Sequence, residues 1–388
     1  MDKTIHREIA DSLKSDMFKG KVLILTGARQ VGKTTLMKSI LSNFDNVLNL
    51  NADNPTDRSK LENQDFEKLN GLVGSNKIVF IDEAQKVPNI GDTLKLLVDN
   101  YKDTKQIIAT GSSSLNLLSN TQEPLTGRKY VHELFSLSMR EIFPGLNPID
   151  LEKELPSVLV YGTYPEIYTS NENDKQRLLT EIVGSYLYQD ILELEQVRNP
   201  ATLQKLLSAI ALQLGSEVSL NELSNLVGLD LKTVERYIDL LEKNFVLFRL
   251  SPYYTNQRKT LSKLNKIYFY DLGIRNALIN NFNPLDLRND VGALWENFLI
   301  VERMKLRQFK NIYSSQYFWR TYDGAEIDLV EEREGKLFGY EIKWKKNRTQ
   351  PKSWLDYPNS EYKLVNQENF IEFLQITPLS FGKTGVNQ

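Results

Sequence analysis

Ten residues near the N-terminus narrow the possible architectures more than the rest of the chain together. Thr26-Gly27-Ala28-Arg29-Gln30-Val31-Gly32-Lys33-Thr34-Thr35 follows the apolar run Val22-Leu23-Ile24-Leu25 and fits the pattern G-x-x-x-x-G-K-[ST]. A buried parallel strand that feeds a glycine-rich turn and then a helix, Thr34–Ser42, aims successive backbone N–H groups and a positive helix end at phosphate. In this arrangement Lys33 reaches the β- and γ-phosphates and the Thr34 hydroxyl serves Mg²⁺. The expectation is an α/β fold with a parallel sheet that binds a nucleoside triphosphate.

The chain has 388 residues, too many for one core, so two or three domains are expected. A net charge of −2 means that any basic surface must be local. With no cysteine, thiolate chemistry and Cys-based metal sites are excluded, and with only His6 and His132 a histidine-rich metal site or triad is not expected. No apolar run approaches a membrane span and the first residues lack a secretory core, so the expectation is a soluble, cytoplasmic protein without a membrane partner.

A second strand, Lys77–Ile81, ends in Asp82 and Glu83. Phosphoryl transfer to water needs a fixed metal ion and an oriented nucleophile, tasks that suit Asp82 and Glu83 respectively. A third strand, Gln106–Thr110, runs into Gly111-Ser112-Ser113-Ser114; Thr110 and Ser112 are both candidates for sensing the γ-phosphate, and the serines could equally cap a helix at Leu115–Leu118. Arg128, in Leu125-Thr126-Gly127-Arg128-Lys129, is either an arginine finger, from its own chain or a neighbour, or an exposed structural residue. The finger reading in trans would require an oligomer.

These motifs, together with Leu137-Ser138-Met139-Arg140-Glu141, resemble the AAA-type ATPases of bacteria and archaea that carry a C-terminal domain of unassigned function. The resemblance follows the order and spacing of the whole chain. It implies ATP hydrolysis with Mg²⁺ in a first domain over residues 1–148. One departure stands at the second strand end, where the family tends to have an acid: here Asn51 occupies the position, with Asp53 nearby.

Residues 149–283 read as a helical lid and winged-helix segment. The helix 175–196 has apolar residues at helical spacing. Further on, Val218–Leu220 reads as a strand, Asn221–Val227 and Leu231–Lys243 as a helix pair, and Phe245–Leu250 as a wing strand. Lys232, Thr233, Glu235 and Arg236 would face a DNA groove, but Glu235, Asp239 and Glu242 weaken phosphate attraction, which favours a protein-interaction or structural module over DNA contact. Asp271 reads as the cap of a helix starting at Leu272.

Residues 284–388 hold a second constellation. A helix carries Glu296, one strand carries Glu326 and Asp328, and the next carries Glu341 and Lys343, two apart and so on one face. A hairpin between the strands would bring Asp328 beside Glu341 and Lys343. The pattern resembles the PD-(D/E)xK nuclease superfamily, which implies a divalent metal held by Glu296, Asp328 and Glu341 with Lys343 assisting catalysis. Between residues 302 and 352 there are 12 Lys or Arg against 8 Asp or Glu, a modest excess that favours a polyanion. Two functions emerge as expectations: an ATPase acting on DNA with a Mg²⁺-dependent nuclease-like domain, or a nucleotide-gated binding protein that does not cut.

Overall fold

The computed structural model describes residues 5–62, 64–112, 125–145, 148–187, 200–254, 264–345 and 349–376. They form two compact units: Met1–Ser136 with Ile238–Val246, and Leu137–Tyr237 with Leu247–Gln388. The chain therefore passes between the units three times.

The first unit is built on five parallel strands: β1 (Val22–Thr26), β2 (Val47–Asn51), β3 (Ile78–Asp82), β4 (Gln106–Gly111) and β5 (Lys129–Glu133), in the order β2-β3-β4-β1-β5. Every residue of β1, β3 and β4 is buried, whereas β2 and β5 alternate toward solvent. That contrast explains the unbroken apolar runs: a central strand covered on both faces has no polar side to offer. Ile24, Val79, Ile81 and Ile107 pack with Leu94 and Leu97 of the helix Ile90–Tyr101. Each fully buried aliphatic side chain of this kind contributes ~1.5–3 kcal/mol. Insertion of β4 between β1 and β3 brings three strand ends to one edge of the sheet, where open α/β folds bind ligands.

In the second unit, helices Pro148–Tyr161, Glu172–Glu181 and Pro200–Leu212 precede a small sheet of β6 (Glu217–Val218), β7 (Leu247–Leu250) and β8 (Asn265–Phe269), with β8 in the centre. The helix expected over 175–196 starts at Glu172 and passes into a π-helical stretch at Ile182–Leu187; residues 188–199 lie outside the described residues. Helices Leu220–Val227 and Leu231–Lys243 flank the turn at Gly228-Leu229-Asp230, and Ser219 caps the first through the Glu222 N–H. Asp271 caps the helix Leu272–Leu278, accepting from the Gly273 and Ile274 N–H groups and also from the Thr163 N–H, so the loop Tyr161–Pro165 is a packed turn.

The long helix Val291–Phe309 then leads into β9 (Ser315–Arg320), β10 (Glu326–Arg333), β11 (Lys336–Ile342) and β12 (Ser360–Val365), ordered β12-β11-β10-β9. The first three are antiparallel and β12 is parallel to β11. Glu334 and Gly335, both at positive φ, form the two-residue turn between β10 and β11, the conformation that matches strand twist. Arg303 on the helix forks onto the buried Glu331 of β10 at 2.8 and 2.9 Å and so ties helix to sheet. No helix among the described residues is long and apolar enough to cross a membrane.

Candidate functional site

The phosphate loop closes over the end of β1. Gly27, at φ +153°, lies so near β5 that an added Cβ would stand 2.1 Å from the Leu134 carbonyl oxygen, so only glycine fits. Lys33 opens the helix Lys33–Leu41, and its Nζ donates to the carbonyls of Gly27 at 2.9 Å and Ala28 at 2.7 Å. That holds an ammonium across the loop formed by Arg29, Gln30, Val31 and Gly32, where phosphate oxygens would compete for it. Thr35 is exposed on the helix's first turn.

Asp82, at the end of β3, is gripped from two sides. Thr34 Oγ1 donates to one carboxylate oxygen at 2.8 Å, and Thr110 Oγ1 donates to the other. Thr110 reaches it because β4 lies beside β3, with Ile81 paired to Ala109 one residue earlier. Ser112 has a different task. Gln85 Nε2 donates to Glu83 Oε2 at 2.5 Å and to Ser112 Oγ at 3.1 Å, and the serine hydroxyl lies 3.4 Å from the same Glu83 oxygen. Glu83 itself sits at φ +52°, an uncommon backbone for a non-glycine residue that turns its carboxylate out of the strand line. Ser113, Ser114 and the helix expected at Leu115–Leu118 lie outside the described residues.

Arg128 is not brought to this edge. Its carbonyl accepts from the N–H of Val22, the first residue of β1, and its guanidinium Nε lies 2.5 Å from Asp99. The phosphate loop comes after the last residue of β1, some 13 Å away at ~3.3 Å per residue. An intramolecular arginine finger from Arg128 is thus unavailable in this arrangement. Asn51 pairs with Asp82 across β2 and β3, and its side chain accepts from the Asp53 N–H; Asp53 is ion-paired to Lys86.

One contributor gives no motif. Arg7, before the first helix, donates from Nη1 to the Val31 carbonyl inside the loop at 2.8 Å and from Nη2 to the Phe135 carbonyl at 2.6 Å. It bridges the phosphate loop to the segment after β5.

In the second unit the expected hairpin forms, with Leu329 opposite Tyr340. Asp328 Oδ2 accepts from the Ile342 N–H at 2.7 Å and from Lys343 Nζ at 3.0 Å, and Lys343 also lies 2.9 Å from Glu341. A register shift against β9 between Ile327 and Val330 re-aims β10 at this point. The residue that sequence reasoning missed is Lys266 on β8. Its Nζ lies 3.1 Å from Glu296, 2.6 Å from Glu326 and 3.7 Å from Asp328, and Tyr268 donates to Glu296 at 2.5 Å. Burial and the nearby Asp328 push the Glu296 carboxyl up to about 7, despite Lys266. For Lys266, burial disfavours the charge, but Glu296, Asp328 and Glu326 outweigh it and raise its pKa. Ammonium groups stand between Glu296, Asp328 and Glu341, the acids expected to share a divalent cation, and no group of three or more acids or histidines placed to hold a metal ion occurs among the described residues.

On the second helix of the Leu220–Lys243 pair, Lys232, Glu235 and Arg236 are exposed, while the Thr233 hydroxyl is engaged by Asp230 at 2.7 Å.

Family models match three successive stretches of the chain. Residues 19–143 match a family described as an AAA domain; residues 152–285 and 291–369 match two domains of unknown function, DUF8612 and DUF4143. An uncharacterized protein of Mycobacterium tuberculosis is 29% identical over 341 residues, covering 87% of this chain and 73% of that one. Uncharacterized proteins of Haemophilus influenzae, 26% identical with 83% and 82% covered, and of Methanocaldococcus jannaschii, 24% identical with 86% and 76% covered, are similar along most of the chain. Among solved structures, the Walker-type ATPase paby2304 of Pyrococcus abyssi covers 71% of this chain and 96% of its own, at 16% identity and a TM-score of 0.48. With the phosphate loop, the strand order and the AAA match all falling on the same residues, the first unit is a nucleotide-binding domain of the P-loop ATPase type.

Proposed function

We propose that this chain is an ATP-hydrolysing switch whose second unit engages DNA. The observation that carries the hydrolytic half is Asp82, held between the hydroxyls of Thr34 and Thr110 with Glu83 adjacent. These are hard oxygen donors of the kind Mg²⁺ takes, so Thr34 and Asp82 would hold that ion, directly or through water, and it would neutralise charge on the β- and γ-phosphates. Lys33 and the loop N–H groups bind the phosphate oxygens. Glu83 accepts the proton of the attacking water once Gln85 releases its carboxylate. Thr110 fixes Asp82, and Ser112 together with Gln85 fixes Glu83 in the resting state.

The DNA half rests on less: the basic excess between residues 302 and 352, and a helix–strand–strand–strand order that supports a nuclease-like reading. Cleavage through a divalent metal does not fit the lysine-filled carboxylate cluster. Binding of DNA, or of a protein partner, without cutting is the reading that the ion pairs favour.

Phosphate release from ATP, measured with Mg²⁺ for the wild type, Lys33→Ala and Glu83→Gln, tests the hydrolytic half. The expected result is turnover by the wild type, loss of ATP binding in Lys33→Ala, and retained binding with turnover lowered ~10²–10⁴-fold in Glu83→Gln. An inactive wild type, or a Glu83→Gln variant as fast as wild type, would refute it. A mobility-shift titration with duplex and single-stranded DNA, with and without ATP, tests the other half.

A further inference from the structure

The carboxylate cluster of the second unit poses a charge problem independent of ATP hydrolysis. Four carboxylates, Glu296, Glu326, Asp328 and Glu341, meet at the joined ends of β8, β10 and β11 and the helix Val291–Phe309. Such a group persists only if something cationic lies among them. In a metal-dependent site that cation is a divalent ion. Here it is Lys266.

Lys266 is 3% exposed on a strand whose next three residues, Ile267, Tyr268 and Phe269, are all buried. A lone ammonium at such a position would cost several kcal/mol. Three carboxylates explain it. Its stem is fixed because β8 is the central strand of its sheet, paired to β6 and β7, and its Nζ stands 5.4 Å from the Phe318 ring centroid. Lys343 adds a second positive charge by bridging Asp328 and Glu341. A hard divalent ion needs several of these oxygens at ~2.0–2.6 Å, and an ammonium on the same oxygens would repel it. The two cannot share the site.

We propose that Lys266 is a resident cation that takes the place of a divalent metal ion in this cluster, so that the site binds no metal and supports no metal-dependent cleavage. Removing the ammonium while keeping the carboxylates then creates a metal site.

The test is a Mn²⁺ titration of the full chain without nucleotide, read by the loss of the free-ion electron paramagnetic resonance signal. Wild type and Asp328→Asn should bind the same amount of Mn²⁺, any metal at the phosphate loop being common to both. Lys266→Met should gain about one equivalent, lost again in Lys266→Met/Asp328→Asn. Two results overturn the proposal: wild-type binding that Asp328→Asn removes, or a folded Lys266→Met that gains no ion. Circular dichroism checks folding. Lys266→Gln, which keeps a hydrogen-bonding head without charge, takes the place of the methionine variant if that one is unfolded. If neither folds, the comparison of wild type with Asp328→Asn decides.

Discussion

Replacing Arg7 with methionine is expected to weaken ATP binding although Arg7 belongs to no phosphate-binding motif. The guanidinium spans two main-chain carbonyls, Val31 within the loop and Phe135 beyond β5, at 2.8 and 2.6 Å, and only 8% of the residue is exposed. Hydrogen bonds from a charged donor are each worth ~1.5–3 kcal/mol, and their loss leaves two partly desolvated acceptors. Against this, methionine avoids the cost of burying a guanidinium and keeps an apolar stem. A net loss of about 2–3 kcal/mol remains, concentrated on one wall of the loop. If that wall must be rebuilt when ATP binds, about 1.4 kcal/mol per tenfold converts the loss to a roughly 30–150-fold higher Kd. Arg7→Lys should fall between, because an ammonium cannot fork across two carbonyls as a planar guanidinium does. Titration with a fluorescent ATP analogue gives the Kd, and thermal unfolding reports whether the loss is confined to the loop. An unchanged Kd together with an unchanged melting temperature in Arg7→Met would show that the bridge does not shape the loop.

Three further predictions rest on separate contacts. Gly27→Ala should abolish detectable binding in the same titration, because its Cβ would press on the Leu134 carbonyl and the loop must shift. Thr110→Val should lower kcat, or raise the Mg²⁺ needed, by ~10–100-fold with little change in ATP affinity, since it frees one oxygen of Asp82. Asp290 concerns stability: burial would raise its pKa, but hydrogen bonds from Arg288 and Arg275 outweigh this and lower it to about 2. Because the folded value lies below the unfolded 3.8, the stabilisation is present above pH 4 and disappears as pH falls toward 2. It amounts to about 1–2 kcal/mol after allowance for its partial exposure. Asp290→Asn should flatten that acid limb in urea unfolding and cost ~3 kcal/mol at pH 7, because two buried arginines lose their carboxylate.

The features legible in the chain were local in sequence. The run Val22–Thr34 declares strand, turn and helix within thirteen consecutive positions, and Asp82 and Glu83 end an apolar strand, so elementary periodicity and phosphate chemistry suffice. The hairpin holding Asp328 and Glu341 was legible for the same reason, through alternation and the Glu334-Gly335 turn. Long-range polar partners were not. Arg7 reaches Phe135 and Lys266 reaches Asp328 only through tertiary structure, and neither residue stands in a pattern that marks it. A lysine between an asparagine and an isoleucine could be read only as a strand's solvent-facing side. The single available signal was the stretch after it, Ile267–Phe269, too apolar for an edge strand. The alternatives for Arg128 could not be separated in the sequence, and its place just before β5, at the far end of the sheet from the phosphate loop, removes only the intramolecular finger. The separate tasks of Thr110 and Ser112 also needed the structure, because both arise from β4 lying beside β3.

The three passages of the chain between the two units have a consequence for inheritance. A protein made of beads on a string can trade its C-terminal part for another by one genetic crossover. Here a crossover at any point before residue 238 would leave the first unit without Ile238–Val246, a segment encoded only after Leu137–Tyr237 of the second unit. A break after Val246 would instead split the second unit, parting β6 from its partner β8. One crossover therefore cannot exchange either unit whole, and descendants should inherit the two together.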